Sequence, residues 1–320
     1  MSAVRLGTRR SALATAQSQR VADLMSAHSG PDVELVGIAT HGDRSSEPLA
    51  QIGGTGVFVS ALRDALLAGE VDLAVHSLKD LPTAAPDNLV LAAVPEREDP
   101  RDVLCARDGL RLADLPPGSR VGSGSLRRAA QLRLLRPDFA VVSVRGNVET
   151  RLGLVASGEV DAVVLAYAGL SRVGRLEAVT EILDPASMVP APGQGALAVE
   201  CRPRDSATTA LVAPLDDGRT RAAVTAERAL LSTLEAGCTA PVGAHAQVRD
   251  TDGQQPEMVL EAVVASIDGR THIRTSATGS VEHAAQIGHD CAAKLLADGA
   301  GALVGQEVDT VEEGDPRSEY

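Results

Sequence analysis

The 320-residue chain has no tryptophan, two tyrosines and two phenylalanines. It therefore lacks the aromatic platforms on which bases stack. A formal net charge of −13 gives it no general hold on a polyanionic duplex. No nucleic-acid partner is expected. Four cysteines, Cys105, Cys201, Cys238 and Cys291, stand far apart with no CxxC pair, which argues against a disulfide frame and against a zinc site. The seven histidines show no ligand spacing, so no metal is expected. No apolar run approaches a membrane span, and the start, MSAVRLGTRR, has no apolar signal-peptide stretch. A cytoplasmic protein with no membrane partner is expected. Lysine is scarce as well: Lys79 and Lys294 stand against 28 arginines.

What remains is an ordinary globular composition, 44% hydrophobic and 23% charged, with length for two or three domains. The stretch Val71–Thr83, VDLAVHSLKDLPT, organises the rest. Val71, Leu73, Ala74 and Val75 read as a buried parallel strand. The run ends in His76, Ser77, Lys79 and Asp80, and ligands of open α/β sheets bind where strands end. One of only two lysines thus sits beside an aspartate at a strand end. The same residues also suit a surface turn with a charge pair.

In chain order, Val4–Leu6 reads as a first strand and 12–25 as a helix capped by Ser11. Arg9 precedes that helix N-terminus, where backbone N–H groups favour an anion. Gln17 falls on the apolar stripe of Leu13, Val21 and Leu24. Spacing alone makes it a partly exposed helix flank, unless it bonds something. Strand Val33–Ala39 leads to a Gly-rich surface loop, Thr40–Gly56, whose GGTG lacks the Walker spacing and lysine. PEREDPR (95–101) reads as a crossing between domains, and SMVPAPGQG (187–195) as a second one, after which Ala196–Glu200 is a strand able to rejoin the first sheet. A long helix over 220–236 ends at Gly237 as its C′ residue. Asp268-Gly269 signals a hairpin, a helix covers 281–297, and the acidic tail from Glu307 is expected to be disordered.

Between these crossings the β/α alternation repeats, and arginines follow its strands: Arg127 and Arg128 after 120–122, Arg145 and Arg151 after 140–144, and Arg172 after 161–166. From Arg120 to Arg175 nine arginines face four acids. A surface arginine is usually just solvated. Arriving together at strand ends, these line a cleft for a polyanion, since the planar guanidinium fork grips carboxylates in a bidentate way.

The order and spacing of GTRRSALA, VHSLKDLPT, EREDPRD, GSLRRAAQL, VRGNVETRL, PGQGALAVECR and AERALLSTLEAGC resemble the porphobilinogen deaminase (hydroxymethylbilane synthase) family from about Arg5 to Ala297. The resemblance implies an α/β protein of two doubly wound, periplasmic-binding-protein-like domains and a small α+β C-terminal domain. The divisions expected are 1–96 with 196–215, then 97–195, then 216–305, with 306–320 as tail. It implies a transferase of tetrapyrrole biosynthesis. Four porphobilinogens are joined head to tail with loss of ammonia, on a dipyrromethane cofactor held as a thioether by Cys238. On chemistry alone a lone cysteine is more often buried and inert. Asp80 matches the catalytic carboxylate that serves the leaving amine and the cationic pyrrole. Ser77, Lys79, Ser125, Arg127, Arg128, Arg145 and Gly146 match cofactor contacts. Arg9, Ser11, Gln17, Ser123, Arg151 and Arg172 match substrate contacts. A monomer is expected. The chain departs from relatives at Gln51 and Thr55, where lysines are common, and at Gly124, where Ser or Thr is frequent. Two rivals are a binding protein that holds an anion without chemistry and a Lys79 Schiff-base enzyme. The first gives Cys238 no role, and the second lacks a phosphate-binding motif.

Overall fold

Parallel pairing of the N-terminal strand sets the first sheet. β1 (Val4–Arg9) lies between β2 (Val33–Ile38) and β3 (Leu73–Ser77), parallel to both. α1 (Ala12–Ala27) and α2 (Val57–Leu67) make the connections. β4 (Val90–Ala93) is the far edge. In the computed structural model the described residues are 3–28, 30–39, 57–84, 86–237, 240–250 and 255–304, with 57 and 58 as backbone alone. The GGTG loop with Gln51 and Thr55, Cys238 and the acidic tail lie outside them.

The second sheet holds β5 (Asp102–Ala106), β6 (Arg120–Gly122), β7 (Ala140–Val142), β8 (Ala162–Ala166) and β9 (Glu181–Ile182), in the order β7-β6-β8-β5-β9. Its connections include α3 (Leu126–Leu135), α4 (Val148–Ala156) and α5 (Tyr167–Arg172). β10 (Leu197–Cys201) then returns to the first sheet, antiparallel between β3 and β4, giving β2-β1-β3-β10-β4. Two segments, 94–101 and 183–196, therefore cross between the sheets. They touch where Glu98 N–H donates to Gly195 O. Gly195 has φ +89, and a Cβ there would lie 2.3 Å from Glu98 O, so only glycine lets the crossings meet.

Strand period decides which side chains fill which layer. Leu73 and Val75 of β3 pack with Leu6, Val21, Met25 and Val199 on one face, and Ala74 packs with Leu62, Leu66 and Leu89 on the other. In the second sheet Leu104 and Val164 share one layer, Val103 and Leu165 the opposite one. Both sheets are thus covered on both faces, the doubly wound arrangement.

After α6 (Ser206–Val212), α7 (Gly218–Thr233) carries the third unit. β11 (Val242–Arg249), β12 (Glu257–Ala265) and β13 (His272–Ser280) form an antiparallel sheet. α7 and α8 (Ala284–Ala297) cover it, with α9 (Gly301–Val304) beyond. The Asp268-Gly269 signal falls in the β12–β13 turn, where Gly269 has φ +71. The end of α7 departs from the sequence expectation. Its left-handed residue is Glu235, at φ +50, not Gly237. The helix stops at Thr233, Ala236 N–H reaches Leu231 O, and Glu235 N–H reaches Ser232 O. These bonds bring the left-handed residue two positions early, at a non-glycine cost of roughly 1–2 kcal/mol.

α7 also ties the three units together. Glu227 is fully buried and accepts from Arg97 Nη1 at 2.7 Å, from Gly193 N at 2.6 Å and from Ala246 N at 2.8 Å. Its neighbour Arg228 donates to Leu81 O at 3.1 Å and Pro82 O at 2.6 Å, directly after the Asp80 turn.

Candidate active site

A cleft of about 190 Å³ opens between the two five-stranded sheets. From the first sheet come Leu13 and Gln17 of α1 and Ser77 and Lys79 after β3. From the second come Arg128, Gly146, Arg151 and Arg172, and the crossing adds Gly195 and Ala196. Four cations line it, and among the described lining residues there is no acid. Leu13, Val148, Leu165, Ala166 and Ala168 supply apolar wall.

Each side chain arrives for a local reason. Ser77 ends β3, and a single 3-10 turn, Leu78–Asp80, places Lys79 among the lining residues and leaves Asp80 exposed and outside them. Gln17, which spacing alone put on a partly exposed flank unless it bonds something, is buried, and its Nε2 donates to Ser77 Oγ at 2.9 Å. This bond places the polar residue on the apolar stripe. His76 faces away from the cleft. Its Nε2 is 3.2 Å from Glu200, which Arg63 also grips. Burial raises the Glu200 carboxyl, but His76 and Arg63 outweigh it and hold it at about 2.

Burial, then Arg128, lowers the Lys79 ammonium to about 8, while Asp80 and Asp102 support its charge. Arg151 Nε donates to Gly146 O at 2.9 Å. Gly146 has φ +97, and a Cβ there would lie 2.6 Å from Thr150, so the bend is open to glycine alone. Burial and Arg128 lower Arg151. Arg172 donates through Nη2 to Gly195 O, and its Nε is buried without a hydrogen-bond partner. Burial lowers it to about 10, with Arg20 adding to the effect and Glu98 opposing it. Crowded, partly desolvated cations, with the Arg172 Nε unused, suit an incoming carboxylate.

Arg127 is placed differently from its neighbour Arg128. It does not line the cleft. It is 4% exposed, and its Nη1 is 2.7 Å from both Asp102 Oδ2 and Val189 O. Adjacent helical residues diverge by about 100°, so Arg128 reaches the cleft while Arg127 turns inward. Burial would raise Asp102; Arg127 and Arg128 outweigh it and hold the carboxyl well below the ordinary range. The serines are likewise engaged locally. Ser11 Oγ accepts from Ala14 N, Ser125 Oγ from Arg128 N, and Ser123 Oγ from Ser125 N. Arg9 ends β1, and exposed Arg145 precedes the Gly146 bend; neither is among the lining residues. Sequence reasoning missed Asp102 and Gln194, although both stand in motifs it singled out.

Two α/β lobes enclose a cleft whose described lining residues are cationic and apolar with no acid among them, the design of a protein that takes an anionic ligand. The chain belongs to the porphobilinogen deaminase family. The model for "Porphobilinogen deaminase, dipyromethane cofactor binding domain" matches residues 4–210, and that for the C-terminal domain matches 221–297. Porphobilinogen deaminase 1 of Streptomyces coelicolor is 59% identical over 313 residues, covering 95% of this chain and 98% of that protein. The Thermobifida fusca protein is 57% identical, covering 94% and 95%. The Mycobacterium tuberculosis protein is 55% identical, covering 94% and 98%. Among solved structures, the periplasmic aliphatic sulphonate binding protein SsuA of Escherichia coli is similar at TM-score 0.39 and 17% identity, covering 73% of this chain and 71% of that one.

Proposed function

We propose that this chain is a hydroxymethylbilane synthase that condenses four porphobilinogens with loss of ammonia, primed on a dipyrromethane borne by Cys238. The charge of the cleft supports this most directly. Each pyrrole carries an acetate and a propionate, and Lys79, Arg128, Arg151 and Arg172 face no acid among the described lining residues. The apolar wall suits the ring faces, and the unpaired buried Nε of Arg172 suits a carboxylate. The residues present thus fit a dipyrromethane. When bound, it supplies the pyrrole carbon at which the chain grows.

The protein's own groups do the rest. Arg128, Arg151 and Arg172 hold side-chain carboxylates, and Ser77 with Gln17 fixes the floor. Asp80 carries protons between the leaving amine and the pyrrole carbon and offsets the positive charge that develops. Residues 1–96 with 196–215 and residues 97–195 form the two lobes, and 216–305 carries the anchor. The other cysteines are poor rivals for that anchor. Cys105, Cys201 and Cys291 are free and buried. Burial pushes the thiols of Cys105 and Cys291 up to about 12 and 11 and also raises Cys201. Thiolates are scarce there at neutral pH.

Incubation with porphobilinogen separates this enzyme from a binding protein of similar shape. Ammonia release in step with a linear tetrapyrrole is expected. Stoichiometric retention of porphobilinogen without ammonia would favour the binding protein.

A further inference from the structure

Gln194 belongs to neither sheet. It lies on the second crossing segment and is 1% exposed. Its Nε2 donates to Pro100 O at 2.6 Å and to Asp102 Oδ1 at 2.8 Å. Its Oε1 accepts from Lys79 Nζ and from Arg128 Nη2, each at 3.3 Å. The Nε2 partners are pure acceptors and the Oε1 partners pure donors. Reversing the amide would lose all four bonds, so chemistry fixes its orientation. Arg97 Nε, at 2.7 Å from Gln194 O, pins the backbone. One amide therefore joins a cation of the first lobe to an ion pair of the second.

An amide suits this position better than its alternatives. Lys79 is faced by Arg128 and Arg127 from α3, Asp102 from β5 and Asp80 from its own turn. A carboxylate at 194 would pair with Lys79 and stand against Asp102. A hydrocarbon would take away the acceptor from Lys79 and a donor from Asp102. We propose that Gln194 is a positioning residue, a neutral acceptor that holds Lys79 against the Arg128–Asp102 pair and supports its ammonium without neutralising it. This deepens the function proposed above and rests on it: a cleft that must grip carboxylates while protons move at Asp80 needs the neighbouring cation in a fixed place with its charge uncancelled. The same arrangement leaves Lys79, lowered to about 8, sensitive to any change at position 194.

The test needs no substrate. With only Lys79 and Lys294 in the chain, trace acetylation across a pH series followed by peptide mass titrates each lysine separately. Intact mass identifies the bound species, so parent and variants are compared at equal loading. Exposed Lys294 is the internal reference. At pH 7, Lys79 labelling relative to Lys294 is expected to fall about tenfold in Gln194→Glu and to rise about fivefold in Gln194→Met, each the result of a tenfold change in the protonation equilibrium. Opposite directions are the signature, because a loosened fold moves both variants alike. Unchanged labelling, or the same direction in both, overturns the proposal. If Gln194→Met does not fold, Gln194→Ala takes its place, and a rise of Lys79 labelling there is required beside the fall in Gln194→Glu. Turnover does not enter this readout, so a failed synthase assay and a failed Gln194 role are separate results.

Discussion

Asp80→Asn lowers turnover of porphobilinogen by at least about 10²–10⁴-fold, the ordinary contribution of one positioned acid–base group. Asparagine keeps the shape but can neither carry the proton nor offset positive charge. The fold has little stake in the change. Asp80 is exposed, and among the described residues no hydrogen bond holds its side chain. The turn is kept by backbone contacts instead: Leu81 N–H on Leu78 O, and Arg228 on the carbonyls of Leu81 and Pro82. Stability is expected to stay within about 0.5 kcal/mol of the parent. Turnover and the unfolding midpoint, measured on one preparation, must therefore separate. Near-parental turnover would remove Asp80 from the mechanism.

Arg172→Leu and Arg127→Leu fail in different ways. Arg172 lines the cleft, and Gly195 O keeps a second donor in Glu98 N when Arg172 is removed. The fold should hold, while one charge-assisted hydrogen bond to a substrate carboxylate is lost. That costs about 1.5–3 kcal/mol, roughly ten- to more than a hundredfold in the step where the bond is used. With limited porphobilinogen, Arg172→Leu should accumulate protein carrying extra pyrroles. Arg127 is not among the residues that line the cleft. Its removal leaves buried Asp102 with Arg128 and Gln194 only, and breaking a buried pair costs about 3–5 kcal/mol of stability. Arg128 then loses its fixed place, and little cofactor should load. Intact-mass ladders read both outcomes. Identical ladders in the two variants and the parent would refute the division.

Local signals in the sequence located much of this architecture. The apolar run into Ser77, the Ser11 cap and the Asp268-Gly269 turn each depend on a few neighbouring residues, and the structure has all three. Sheet-end arginines were legible as a group. Which of two adjacent arginines enters the cleft was not, because Asp102 and Val189 O, which draw Arg127 inward, lie 25 and 62 residues away. Gln17 was misjudged for the same reason: its partner, Ser77, is 60 residues distant. Gln194 carried no signal of its own, since a polar residue in a Pro/Gly segment looks like linker until both lobes close on it. At the end of α7, Gly237 offered the better left-handed residue by composition, yet backbone bonds to Leu231 and Ser232 chose Glu235.

The mass of the purified, intact protein tests the proposed enzyme most directly. The expected value is the bare chain plus two linked pyrrole units, with the addition confined to the peptide containing Cys238 and absent from Cys238→Ser, which should be inactive. A parent protein at the mass of the bare chain, or an addition found on Cys105, Cys201 or Cys291, would contradict it.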